Sequence, residues 1–220
     1  METEYMEKVK SLHLLFEDKY SLDDFKAKLN SLPNEEKVNF ANACLLYQQA
    51  LKCKECKSNG PNIAMALLCI CADTIKITGK RAPHENFIRF YQAYCPPELK
   101  ENIPVERYNP HGNLQYSKAS FEETLHLIYE RFRNPFVHEA KTWFELPPER
   151  SEDGMQINLT TTRTEAFEKD SKATLYYGNT MYHITDINKF LEWFEKATLE
   201  SLNNFLIEKA SKRNTKSTTE

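Results

Sequence analysis

The stretch IAMALLCICADTIKI, residues 63–77, is apolar on nearly every side. A helix that is hydrophobic all round has no face to give to water and belongs in the middle of a bundle. No apolar run in the chain reaches the about 18 residues a membrane span needs, so no transmembrane helix is expected. The chain must therefore supply other helices to cover this one.

Those helices are legible as stripes. Over residues 3–20, Tyr5, Val9, Leu12 and Phe16 mark one face. Ser21, three residues before Asp24, resembles a capping box for a short helix carrying Phe25 and Leu29. Pro33-Asn34 restarts the chain, and a long helix to about Lys57 carries Phe40, Cys44, Tyr47 and Leu51 on one face. Asn59-Gly60-Pro61 is a turn into the apolar helix. ENFIRFYQAY (85–94) is another helix, stopped by Pro96-Pro97. Residues 96–119, with Pro96, Pro97, Pro104 and the run Asn109-Pro110-His111-Gly112-Asn113, read as a long loop. Phe121, Leu125, Ile128 and Phe132 then mark the core face of one more helix.

After Trp143 the character changes. QINLTTTR (156–163) has strand composition, and TLYYGNTMYHI (174–184) is two β-prone segments joined by Gly178-Asn179, a hairpin signal. Thr185 or Asp186 caps a last helix striped by Ile187, Phe190, Leu191, Phe194, Thr198, Leu202 and Phe205. The expected fold is mainly α: a helical bundle with a small antiparallel hairpin or sheet inserted before the last helix. It forms one domain over 1–210, with the β insert at about 153–185 and a disordered basic tail over 211–220.

The totals exclude several classes. Only 5 glycines are present, and neither GxGxxG nor GxxxxGK[ST] occurs, so the two commonest nucleotide cradles are absent. A net charge of −3 disfavours wholesale electrostatic capture of nucleic acid; any such contact must be brief or local. METEYMEKVKSLHLLF reads as an amphipathic helix and not as a signal peptide, which points to the cytoplasm and to reduced thiols for the 6 cysteines. Cys53 and Cys56 have half the spacing of a zinc site, but Cys69-x-Cys71, the nearest second pair, lies on the buried helix pointing two ways. Small buried hydrophobes plus two thiols at a helix end is the favoured reading. His13, His84, His111, His126 and His183 show no metal-like spacing. Tyr176, Tyr177 and Tyr182 on the hairpin have the chemistry to stack bases, although strand aromatics more often pack.

Asp73 lies on the apolar helix in line with Ala66, Ile70 and Ile77. A carboxylate there must reach solvent or find a cation, and Arg133 is a candidate. Arg133 itself opens the run RNPFVH, in which Arg133 and His138 are five positions apart. Pro135 has no amide hydrogen and disfavours helical geometry at Asn134. Asn is a strong N-cap and Pro a favoured first helical residue. The helix from 120 is expected to stop near Arg133 and a new one to begin with Asn134 as cap, with His138 one turn in. A positive helix end holds an imidazole neutral, and an adjacent arginine can grip phosphate.

Arg133, the polar Asn134 after it, and His138 form a pattern that resembles the HEPN superfamily (higher eukaryotes and prokaryotes nucleotide-binding), whose signature is Arg, four to six residues, then His. LKCKECKSNGPNIAMALLCICADTI (51–75) is similar to the long helix, turn and buried helix of such proteins, with an acidic residue near Asp73. The resemblance covers roughly residues 35–145 and the last helix. It implies a HEPN-like bundle that forms a homodimer, with two Arg/His motifs meeting in one composite cleft. It further implies a metal-independent, cofactor-free endoribonuclease that meets RNA transiently and leaves a 2′,3′-cyclic phosphate and a 5′-hydroxyl. His138 is then general base or acid, Arg133 stabilises the phosphate, Asn134 orients the site, and Asp73 binds or orients. Toxin or phage-defence roles, with an antitoxin or regulatory protein as partner, go with such domains. Other members have lost activity and act as protein-, RNA- or nucleotide-binding modules.

Overall fold

A computed structural model of the chain describes residues 2–56, 60–76, 83–108, 116–134, 137, 173–177 and 180–214. Its helices are α1 (Glu2–His13), α2 (Leu22–Ser31), α3 (Asn34–Lys54), α4 (Gly60–Thr74), α5 (Pro83–Tyr94), α6 (Pro97–Glu101), α7 (Phe121–Ile128) and α8 (Ile187–Asn214). The strands are β1 (Glu106–Tyr108), β2 (Tyr116–Lys118), β3 (Ala173–Tyr177) and β4 (Thr180–Ile184). The chain is thus mainly helical with a small antiparallel sheet.

The apolar helix is α4, and it is central. Ala64, Met65, Ala66, Leu68, Cys69, Cys71 and Ala72 are buried, and α4 packs against α3, α5, α8 and the turn that follows α7. The corner between α3 and α4 depends on Gly60. A Cβ there would stand 2.1 Å from the Cys53 carbonyl oxygen and 3.1 Å from Cys56 Cβ. Only a residue without a side chain lets the two helices approach so closely. The last helix closes the bundle as its stripe predicts: Ile187, Phe190, Leu191, Phe194, Thr198, Leu202 and Phe205 are all buried. Asp186 is its cap, accepting from Lys189 N at 3.1 Å. Two buried hydroxyls in this core pair with each other. The Tyr91 hydroxyl lies 2.8 Å from Thr198 Oγ1, and Thr198 also donates to the Phe194 carbonyl at 2.8 Å.

Several boundaries differ from the sequence reading. α1 stops at His13, and buried Phe16 reaches the core from the turns that follow. Ser21 caps α2 by accepting from Asp24 N, but the reciprocal half of a capping box is absent there. A complete box occurs instead at Ser120 and Glu123, at the start of α7. The final helix continues to Asn214, so residues 211–214 extend it; residues 215–220, QINLTTTR and the Gly178-Asn179 turn lie outside the described residues.

The 96–119 stretch is not simply a loop. It contributes α6, β1 and β2, and the four-stranded sheet runs β2-β1-β4-β3. β1 pairs with β4 (Glu106 opposite His183, Arg107 opposite Tyr182), and β3 pairs with β4 (Ala173 opposite Ile184, Tyr177 opposite Thr180). A three-residue strand has too little local signal to be seen, and only its distant partner stabilises it. The sheet therefore combines the hairpin before α8 with strands from before α7. Arg107 ties it to the bundle through an ion pair with Glu123 at 2.9 Å. Tyr182 is 2% exposed, so it packs the core and cannot stack a base.

Candidate functional site

The helix carrying the Arg-Asn-Pro run is not broken at Arg133. After α7, residues Tyr129–Arg133 form a π-helical turn, and the Asn134 N–H donates to the Tyr129 carbonyl five residues back. Asn134 has φ −63° and ψ −50°, helical values and not those of a cap. The expectation of a stop at Arg133 with Asn134 as N-cap is therefore corrected: the helix widens instead. Pro135 has no N–H to give to the ladder and its ring crowds the carbonyl four residues back, and a wider turn is one way a helix meets that demand. Such single π-turns recur at functional sites. His138 and Pro135 lie outside the described residues.

The turn aims Arg133 at α4. Arg133 Nε donates to Asp73 Oδ2 at 2.8 Å, with the two side chains 11% and 14% exposed. Of the two sequence alternatives for Asp73, a wet helix end or a partner in Arg133, the structure gives the pair. Arg133 Nη1 also donates to Asn134 Oδ1 at 3.3 Å, and the guanidinium carbon stands 5.0 Å from the centre of the Tyr129 ring. Asn134 Nδ2 donates onward to Glu130 Oε2 at 3.0 Å. Three contacts from three directions leave the guanidinium little rotational freedom. Asp73 keeps one buried oxygen, Oδ1, with no hydrogen-bond partner among the described residues. Burial pushes its carboxyl above the usual carboxylate range, and Arg133 only partly offsets this. The same end of α4 is held from α5 as well: Asn86 Nδ2 donates to the carbonyl of Ile75, just past the helix, at 2.9 Å.

Compared with protein families, with curated proteins and with solved structures, the chain matches none. The site's chemistry rests on its own residues.

Two histidines with no spacing signal are brought together beside this site. His84 opens α5, His126 ends α7, and His84 Nε2 lies 2.9 Å from His126 Nδ1. The His84 ring packs at a tilt against the Tyr129 ring, 4.6 Å between centres, and that ring also faces Arg133. Burial, with His126 beside it, pulls His84 below the usual imidazole range, and Glu130 and Glu85 oppose this. Burial raises the Tyr129 phenol to about 12, helped by Asp73, so it stays protonated at neutral pH. One sequence signal pointed here. Glu122, His126, Glu130 and Arg133 recur at helical spacing, a polar stripe beside the apolar one. His84 has no such mark, because a contact between α5 and α7 is a tertiary event.

The cysteines divide as their positions suggest. Cys44, Cys69, Cys71 and Cys95 are buried, Cys53 is half-buried and Cys56 is exposed. Among the described residues no group of three or more His, Cys, Asp or Glu side chains is placed to hold a metal ion. No described helix is long and apolar enough to cross a membrane.

Proposed function

We propose that the chain is a HEPN-like, metal-independent endoribonuclease in which the Arg133 turn binds the scissile phosphate of RNA at the interface of a homodimer. The observation that carries the reading is the clamp on Arg133. Asp73 takes the Nε edge, Asn134 takes one terminal nitrogen and Tyr129 covers the face. A guanidinium held this way is pre-organised, so little freedom is lost when it meets an anion. Asp73 and Asn134 are then positioning residues, Arg133 stabilises charge developing on the phosphate, and His138 moves a proton. The test is incubation of the purified protein with RNA in EDTA beside Arg133→Ala and His138→Ala. Cleavage by wild type alone, leaving 2′,3′-cyclic phosphate ends, is expected. Equal cleavage by all three proteins would refute the assignment.

A second reading is a non-catalytic HEPN-like module that binds protein, RNA or nucleotide. It is favoured by the same clamp viewed as a structural ion pair with only 11% of the arginine side chain exposed. The carboxylates of Glu85, Glu122 and Glu130 around the histidines add no attraction for RNA. Under this reading Arg133→Ala destabilises the fold and wild type cuts nothing.

A further inference from the structure

The six thiols fall into two classes. Cys44, Cys69, Cys71 and Cys95 are buried, and burial pushes each of these thiols up, so they stay protonated and out of reach of a reagent in water. Cys53 is half-buried and Cys56 is exposed, and the two span the turn that ends α3. The Cys56 N–H donates to the Cys53 carbonyl at 2.9 Å, three residues back, and Glu55 between them has φ −77° and ψ −12°. A turn closed by such a bond holds its first and fourth Cα within about 7 Å, and side chains three apart on so tight a turn lie on one side. A disulfide needs a Cα separation of about 4.4–6.8 Å and side chains that face each other. The Cys56 sulfur already leans this way. Its thiol donates to the Lys52 carbonyl at 3.6 Å, so the sulfur turns back onto the last turn of α3, beside the residue that precedes Cys53. The turn is also held from outside: Gly60, at the start of α4, lies so near that an added Cβ would stand 3.1 Å from Cys56 Cβ. Thiols on a backbone fixed in this way lose little freedom when they join.

We propose that Cys53 and Cys56 are a site of reversible oxidation, at which glutathione disulfide converts the two thiols into an intrachain disulfide across the end of α3. In the first step the exposed Cys56 sulfur, as thiolate, attacks one sulfur of the reagent. A bond forms from Cys56 to glutathione as the reagent's sulfur–sulfur bond breaks, and one glutathione leaves as a thiolate that takes up the proton Cys56 gave. In the second step the Cys53 thiolate attacks the Cys56 sulfur. The bond between the two cysteines forms, the bond from Cys56 to glutathione breaks, and the second glutathione leaves with the proton from Cys53. Both protein thiols are oxidised, the reagent is reduced to two thiols, and protons and electrons balance. The bridge ties the end of α3 to the turn that leads into α4, beside Gly60, and stiffens the corner from which α4 starts. The site is independent of what Arg133 binds.

The experiment equilibrates the reduced full chain with glutathione and glutathione disulfide, quenches in acid, alkylates the remaining thiols under denaturing conditions and maps the products by mass spectrometry. Wild type is expected to lose two hydrogens on the segment that holds Cys53 and Cys56, with Cys44, Cys69, Cys71 and Cys95 still alkylated. Cys53→Ser is expected to stop at a glutathione adduct on Cys56. At a fixed ratio of the two glutathione forms, tenfold dilution of total glutathione is expected to raise the ratio of bridged to reduced wild type about tenfold, because closing the bridge releases two glutathiones for each disulfide consumed. A mixed disulfide releases one, and its population does not respond to that dilution. Wild type that stops at the adduct, a product insensitive to dilution, a bridge to a buried cysteine, or no product at all overturns the proposal. Should Cys53→Ser fold poorly, the wild-type dilution decides alone.

Discussion

Removing Asp73 should harm the fold more than removing its partner. In Asp73→Ala the Arg133 guanidinium loses its 2.8 Å acceptor, while its contacts with Asn134 Oδ1 at 3.3 Å and the Tyr129 ring at 5.0 Å remain. Arginine cannot escape by losing its proton. Breaking a buried pair from one side costs about 3–5 kcal/mol, and the surviving contacts and slight solvent access reduce this to about 2–4 kcal/mol. For a chain of this size that is a fall in melting temperature of roughly 5–15 °C. Arg133→Ala leaves a carboxylate instead, and a carboxylate can be neutralised. Burial already raises Asp73 above its ordinary value, and loss of Arg133 raises it further. The sign follows. With a folded pKa above the unfolded one, stability is fully present below the unfolded value of about 3.9 and is lost as pH rises through the folded one. The deficit of Arg133→Ala should therefore be small near pH 4 and grow toward pH 7, whereas that of Asp73→Ala should persist across the range. Urea melts of both single variants and the double variant, at pH 4.5 and 7, measure this. The cycle should return a coupling of about 1–3 kcal/mol at pH 7. Additive single effects, or an Arg133→Ala deficit that shrinks as pH rises, would refute the reasoning.

Two further outcomes check the frame around the site. Gly60→Ala should destabilise by about 2–4 kcal/mol in a thermal melt despite alanine's better helix propensity, because a Cβ 2.1 Å from the Cys53 carbonyl oxygen forces α3 and α4 apart; a variant as stable as wild type would mean that the corner is not closely packed. Tyr91→Phe should cost about 1–2 kcal/mol by denaturant titration, since it removes one of the two hydrogen bonds of buried Thr198 and keeps the ring; an unchanged midpoint would remove that bond from the account of the core.

The sequence by itself determined the bundle. The all-round apolar segment 63–77 had to be central, and α4 is central because no other arrangement hides such a surface from water. The period of α8 and the hairpin's strand–turn–strand composition were likewise local facts. Asp73 and Arg133 were legible as a candidate pair because a lone carboxylate on an apolar helix demands a cation. Tertiary structure decided the rest. β1 and β2 exist because β4 lies beside β1, which no run of three residues announces. The junction at Asn134 follows a widened turn and not a cap, because the residue's local preference for capping yields to a helix already committed to packing through Ile128 and Phe132 and to the clamp from Asp73. The His84–His126 contact closes a separation of 42 residues. Spacing in sequence carries information only within one element, where 3.6 residues per turn relate position to face; between elements, the relation is set by how their apolar faces pack.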